Sequence, residues 1–105
     1  MNICTFTGFL TNDPRMTKVG SVSLAEFTVA VHSYRRIKKT NEKSRTTTYM
    51  RCQAWHTGAE TIQRFAKKGT KITVHASARN MEHDDNMIVF RINEFDLCTT
   101  GESNA

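Results

Sequence analysis

Apolar and polar residues alternate with a period of two along most of this chain, most sharply from Thr47 to Trp55. Thr47, Tyr49, Arg51, Gln53 and Trp55 hold the odd positions there, and Thr48, Met50, Cys52 and Ala54 the even ones. Successive side chains of a strand point to opposite faces. Met50, Cys52 and Ala54 therefore make a small apolar face, and Tyr49, Arg51 and Trp55 share the other, a cation between two rings. The same period predicts a strand over residues 2–10, rich in Thr, Phe and Ile and ended by the turn residues Thr11, Asn12, Asp13 and Pro14. Gly8 inside it predicts a bulge or sharp bend. A second strand is predicted over 22–34, with Ala25, Phe27, Val29 and Val31 on one face and Glu26, Thr28, His32 and Tyr34 on the other.

Residues 35–46 have no apolar periodicity and read as an exposed, mobile loop. After the strand at 47–55 the period changes. Ala59, Ile62, Phe65 and Ala66 recur at helical spacing, which predicts a helix over about 58–68. Thr57 and Glu60 have the spacing of a capping box, Lys67 and Lys68 suit the C-terminal end of the helix dipole, and Gly69 suits a left-handed cap. A fourth strand follows at 70–79, with Ile72, Val74, Ala76 and Ala78 inward. Residues 80–86 read as a polar turn. A fifth strand at 87–97 has Ile88, Phe90 and Ile92 on one face. Phe27, Phe65 and Phe90 are expected in the core.

Three strands, one helix and two strands make an all-β protein with one helix. That order fits a five-stranded OB-fold barrel with its helix between strands 3 and 4; an SH3-like or other small barrel satisfies the same pattern. Residues 1–98 form the expected domain and 99–105 an expected disordered tail.

Charge adds a location. Seven of the fifteen Lys and Arg residues lie between Tyr34 and Trp55, with Glu42 the one acid among them. The rest of the chain carries eight basic residues against nine acidic ones. Positive charge follows a phosphate backbone, and flat rings stack on unpaired bases. Tyr34, Tyr49 and Trp55 bracket the cations, so the segment predicts a single-stranded nucleic acid ligand.

Other chemistry has little support. Cys4, Cys52 and Cys98 are an odd count with no close pairing, which fits a reducing, cytoplasmic setting. They read as small apolar residues. No metal-ligand spacing occurs, and no metal or other cofactor is expected. Glu82, His83, Asp84 and Asp85 read as part of a polar turn, and no nucleophile motif or phosphate loop suggests an enzyme. No apolar run is long enough for a membrane span, and the N-terminus lacks the pattern of a signal peptide.

The segments GFLTNDP, LAEFTVAV, TYMRCQAW and ETIQRFAKKGTKITVHASAR cover most of residues 6–79. In this order they resemble the bacterial and phage single-stranded DNA-binding proteins of the OB-fold type. The resemblance implies DNA coating in replication, recombination or repair, with Tyr49 and Trp55 on two stacking positions. A third such position falls at Arg35; its neighbour Tyr34 would point the other way in a regular strand. A fourth falls at His83. Arg35, Arg36, Lys38, Lys39, Lys43 and Arg45 are expected to meet phosphates from the loop, and Arg51, Lys71 and Arg79 from the sheet. A homo-oligomer, dimer or tetramer, is implied, with replication proteins as further partners. Long members end in an acidic tip that docks such enzymes. This chain ends Thr99-Thr100-Gly101-Glu102-Ser103-Asn104-Ala105, with one acid, so that role is expected to be absent or done differently. Two alternatives remain: a primosome-type adaptor that binds partner proteins, and an RNA- or tRNA-binding OB module.

Overall fold

Every predicted strand forms, and one more appears. The computed structural model describes residues 1–98; the expected tail at 99–105 lies outside the described residues. The elements are β1 (Cys4–Leu10), β2 (Arg15–Val19), β3 (Val22–Arg36), β4 (Lys43–Trp55), α1 (Thr57–Phe65), β5 (Lys71–Met81) and β6 (Asp84–Cys98). Five strands close a ring in the order β1-β5-β6-β4-β3 and back to β1. This is the expected OB barrel, with α1 between its third and fourth strands. Among the described residues β2 pairs only with β3, from Arg15 opposite Glu26 to Val19 opposite Val22. The connector at 11–21 hid this hairpin because Met16 and Val19 are too few to show a period.

The core follows the alternation. Ala25, Phe27 and Val29 from β3, Cys52 and Ala54 from β4, and Ile72, Val74 and Ala76 from β5 are all buried. Phe6 meets Phe90 edge to face at 5.4 Å, a favoured aromatic geometry. Gly8 makes no bulge: it pairs regularly with Ile72. Its function is closure. A Cβ there would run into the Ala30 carbonyl oxygen and come within 2.8 Å of Val29 Cγ1, so the missing side chain lets β1 approach β3.

The helix is shorter than predicted. His56, not Thr57, is the N-cap; it sits at φ 60° and its side chain makes no cap hydrogen bond. Its N–H still donates to Ser23 O at 3.0 Å. The sheet ladder thus runs to the first turn of the helix and leaves no extended position for a Thr57 cap. Ala59, Ile62 and Ala66 are buried, but Phe65 is 60% exposed, which corrects its expected place in the core. The helix ends at Phe65, so Lys67 and Lys68 lie beyond it. Asp13 accepts from the Lys68 N–H at 2.8 Å, and Gly69, at φ 90°, belongs to the following turn.

Half or more of each of two expected loops is strand. β3 and β4 pair without a break from Leu24 opposite Trp55 to Arg36 opposite Lys43. Beyond residue 31 this ladder is a two-stranded arm. Its turn, residues 37–42, is closed by Ile37 N–H to Glu42 O at 2.8 Å. Cross-strand hydrogen bonds make a ladder there without an apolar face, which is why periodicity missed it. Likewise the turn between β5 and β6 shrinks to Glu82 and His83. In β6, Phe90 and Ile92 face inward as expected, while Ile88 is exposed at the rim and Val89 is buried. A register shift after His75 opposite Glu94 changes the phase, so Phe95 and Leu97 pack on the core with Ile92.

Candidate nucleic-acid interface

Residues directly opposite in a ladder share a face, so the β3–β4 register assigns each cation and ring. One face carries Tyr34 opposite Arg45, Arg36 opposite Lys43, Ala30 opposite Tyr49, Thr28 opposite Arg51, and Leu24 opposite Trp55. Tyr34 and Tyr49 are about two-thirds exposed, at 64% and 67%. Along β4, Arg45, Tyr49 and Trp55 are spaced by roughly 13 and 20 Å at the usual strand rise. Arg35, opposite Ser44, lies on the other face. The regular strand therefore aligns Tyr34, not Arg35, with Tyr49 and Trp55.

The barrel continues this face. The parallel β4–β6 pairing sets Gln53 beside Arg91, and β5 sets Arg79 opposite Val89. These residues surround a hollow of about 360 Å³, with Trp55, Arg79, Arg91 and His83 in its wall. His83, at the hairpin tip, thus reaches the same hollow as Trp55. Arg91 Cζ lies 5.6 Å from the centroid of the Trp55 ring, within cation–π range. The Trp55 Nε1 is buried with no hydrogen-bond partner among the described residues. Arg51 donates to Met81 Sδ at 3.4 Å.

The electrostatics favour an anion. Among the described residues the one ion pair joins Arg15 to Glu26, at 3.4 Å. Glu26 Oε2 also accepts from Gln53 Nε2, at 3.4 Å, so the acid on this face is held by donors. The arm's cations take no part in ion pairs with described acids. Arg36 donates to Asn41 Oδ1 at 3.0 Å, and Asn41, at φ 59°, helps shape the turn that carries Lys38 and Lys39.

Two expected residues stand apart. Arg35 is on the back of the arm. Lys71 is at the other end of β5 from Arg79, roughly 26 Å away along the strand. Arg91 was missed by the sequence reading. Its outward phase follows from Phe90 pointing inward, but its place over Trp55 depends on a two-residue pairing between distant strands. No group of three or more His, Cys, Asp or Glu among the described residues is placed to hold a metal, and no described helix is long and apolar enough to cross a membrane.

Known proteins share this architecture. The structure of a deletion mutant of the single-stranded DNA-binding protein from Thermus aquaticus superposes with a TM-score of 0.79, at 19% identity, over 95% of this chain and 51% of that one. A Plasmodium falciparum single-stranded DNA-binding protein, solved in complex with single-stranded DNA, gives 0.77 at 21% identity, over 92% of each chain. In sequence, single-stranded DNA-binding protein 2 of Listeria monocytogenes is 33% identical over 82% of this chain and 52% of its own length. Protein 3 of Listeria innocua is 34% identical over 86% and 56%. The chain thus spans about half the length of the curated relatives it matches. The model of the single-strand binding protein family matches residues 1–91, and the chain belongs to that family.

Proposed function

We propose that this protein binds single-stranded DNA with little regard to sequence and coats it during replication, recombination or repair. The observation that carries this reading is the single face on which Tyr34, Tyr49 and Trp55 alternate with Arg36, Lys43, Arg45 and Arg51. Rings stack on any base, whereas paired bases hide their faces in the duplex. The cations meet phosphates, with Lys38 and Lys39 from the turn and Arg79 and Arg91 at the hollow. Because the ligand is the unpaired form, binding melts hairpins by mass action and needs no catalytic step. Family membership and the DNA-bound state of the Plasmodium protein support the reading.

The working form is a homo-oligomer, a dimer or tetramer, in the cytoplasm. Between Cys4 and Gly8 the edge of β1 away from β5 pairs with no strand among the described residues, and an open edge favours pairing with a second copy. Trp55 is the one tryptophan, so titration with oligo-dT followed by intrinsic fluorescence tests the site. Strong quenching that saturates at a defined nucleotide count is expected. Binding in a gel shift with unchanged emission removes Trp55 from the site, and tighter binding to a matched RNA overturns the preference for DNA.

A further inference from the structure

A second ring pair lies on the same outer surface, where the arm joins the barrel. Phe9 is 41% exposed at the end of β1. It pairs with Ala30 of β3 on one side and Lys71 of β5 on the other, and Ala30 is itself opposite Tyr49. Lys71, Phe9, Ala30 and Tyr49 therefore form one outward row across four adjacent strands. The small Ala30, 8% exposed, separates the two large rings. His32, one step along this face toward Tyr34, has its ring centroid 6.3 Å from that of Phe9, at 38°. Its Nδ1 shares a 2.9 Å hydrogen bond with Thr47 Oγ1, which fixes the ring.

We propose that Phe9 and His32 form an additional base-stacking subsite, with Lys71 as its phosphate contact. The proposal rests on the DNA-binding reading above and extends it around the barrel. An exposed phenyl alone needs no explanation. This one adjoins a fixed imidazole and a lysine, and it continues the surface that carries Tyr49. A strand leaving the arm past Tyr49 reaches Phe9 after crossing Ala30, roughly 10 Å away at the usual strand spacing. The row also gives Lys71, far from the Trp55 hollow, a place on the same path.

The test measures affinity for dT oligonucleotides of increasing length with the full chain, Phe9→Ala, Phe9→Tyr, Lys71→Gln and Trp55→Ala, each checked for folding and for mass in solution. The shortest oligonucleotide that binds should lose affinity with Trp55→Ala but not with Phe9→Ala. On longer ones Phe9→Ala should lose about 5- to 150-fold, the range for one stacked base, and Phe9→Tyr should restore it. Lys71→Gln should lower the magnitude of the log–log salt slope by about 0.7 on long oligonucleotides only. Crosslinking to 5-iodouracil DNA should give a peptide containing Phe9, a readout that holds even if Phe9→Ala fails to fold. Unchanged affinity at every length, or no such crosslink, overturns the subsite and leaves the main site standing. A changed mass with unchanged affinity per protomer assigns Phe9 to a contact between copies and also overturns it. Failure of the unaltered protein to bind any dT oligonucleotide overturns both readings.

Discussion

Arg91 lies over the indole of Trp55, its Cζ 5.6 Å from the ring centroid. The two residues are 36 positions apart in sequence and meet through the parallel pairing of β4 with β6. Under the proposed function, a base stacked on Trp55 would take the ring face that the guanidinium leaves open. Arg91→Ala should therefore shift the unliganded emission to the red as water reaches the indole. It should weaken oligo-dT binding by about 0.5–2 kcal/mol, the range for a cation–π contact. Fluorescence spectra and titration of the one variant check both outcomes.

The arm separates charge from stacking. Lys43→Gln and Arg45→Gln should each lower the magnitude of the salt slope by about 0.7. Arg35→Gln should lower it less, because Arg35 faces away from Tyr34, Tyr49 and Trp55. Tyr49→Ala should cost about 1–3 kcal/mol of binding and leave the slope unchanged. Titrations at four or more salt concentrations distinguish the two behaviours.

Gly8→Ala should destabilise the barrel although alanine suits a strand no worse than glycine. The added Cβ meets the Ala30 carbonyl oxygen and Val29 Cγ1, both in the closing contact of β1 with β3. Overpacking of this kind costs about 1–3 kcal/mol, which lowers the melting temperature by roughly 4–8 °C per kcal/mol in a domain of this size. A calorimetric scan measures it.

Burial pushes the Cys52 thiol from its ordinary 9.0 up to about 12. At pH 8 an alkylating reagent should modify Cys4 and Cys98, which are partly exposed, and spare Cys52 until the protein is denatured. Intact mass before and after denaturation reads this directly. The same shift sets a stability trend. The unfolded thiol ionises near 9 and the folded one near 12, so above pH 9 the unfolded state binds fewer protons. The contribution is fully present below pH 9 and is lost as pH rises toward 12.

The barrel was legible in the sequence because its strands bury one face: Ala25, Phe27 and Val29, then Cys52 and Ala54, then Ile72, Val74 and Ala76. Where a strand has no buried face the signal fails. Residues 35–36 and 43–46 are held by cross-strand hydrogen bonds alone, and their polar side chains read as a loop. β2 is short and half-exposed, so it left no period. Phe65 looked inward because it lies near the helical stripe, yet Ala59, Ile62 and Ala66 fill the space beneath the helix. Tyr49, Arg51 and Trp55 were legible as one face because they belong to one strand. Arg91 and Phe9 join that surface only through pairings between distant segments, and no local pattern encodes those.

The arm's ladder has a consequence for how this protein tolerates change in length. Parity alone decides which side chains share the face of Tyr49 and Trp55, since a one-residue slip exchanges the two faces of a strand. Residues added in the turn at 37–42 leave Arg36 opposite Lys43 and keep the order of rings and cations. A single residue inserted between Lys43 and Thr48 and taken into the ladder would turn over the distal part of β4 alone. Ser44 would then share the face of Tyr34, Tyr49 and Trp55, Lys43 and Arg45 would leave it, and Tyr34, on the unaltered β3, would stay. Insertions at the tip are thus silent, and those a few residues further along remove the distal cations of β4 from the face that keeps Tyr34.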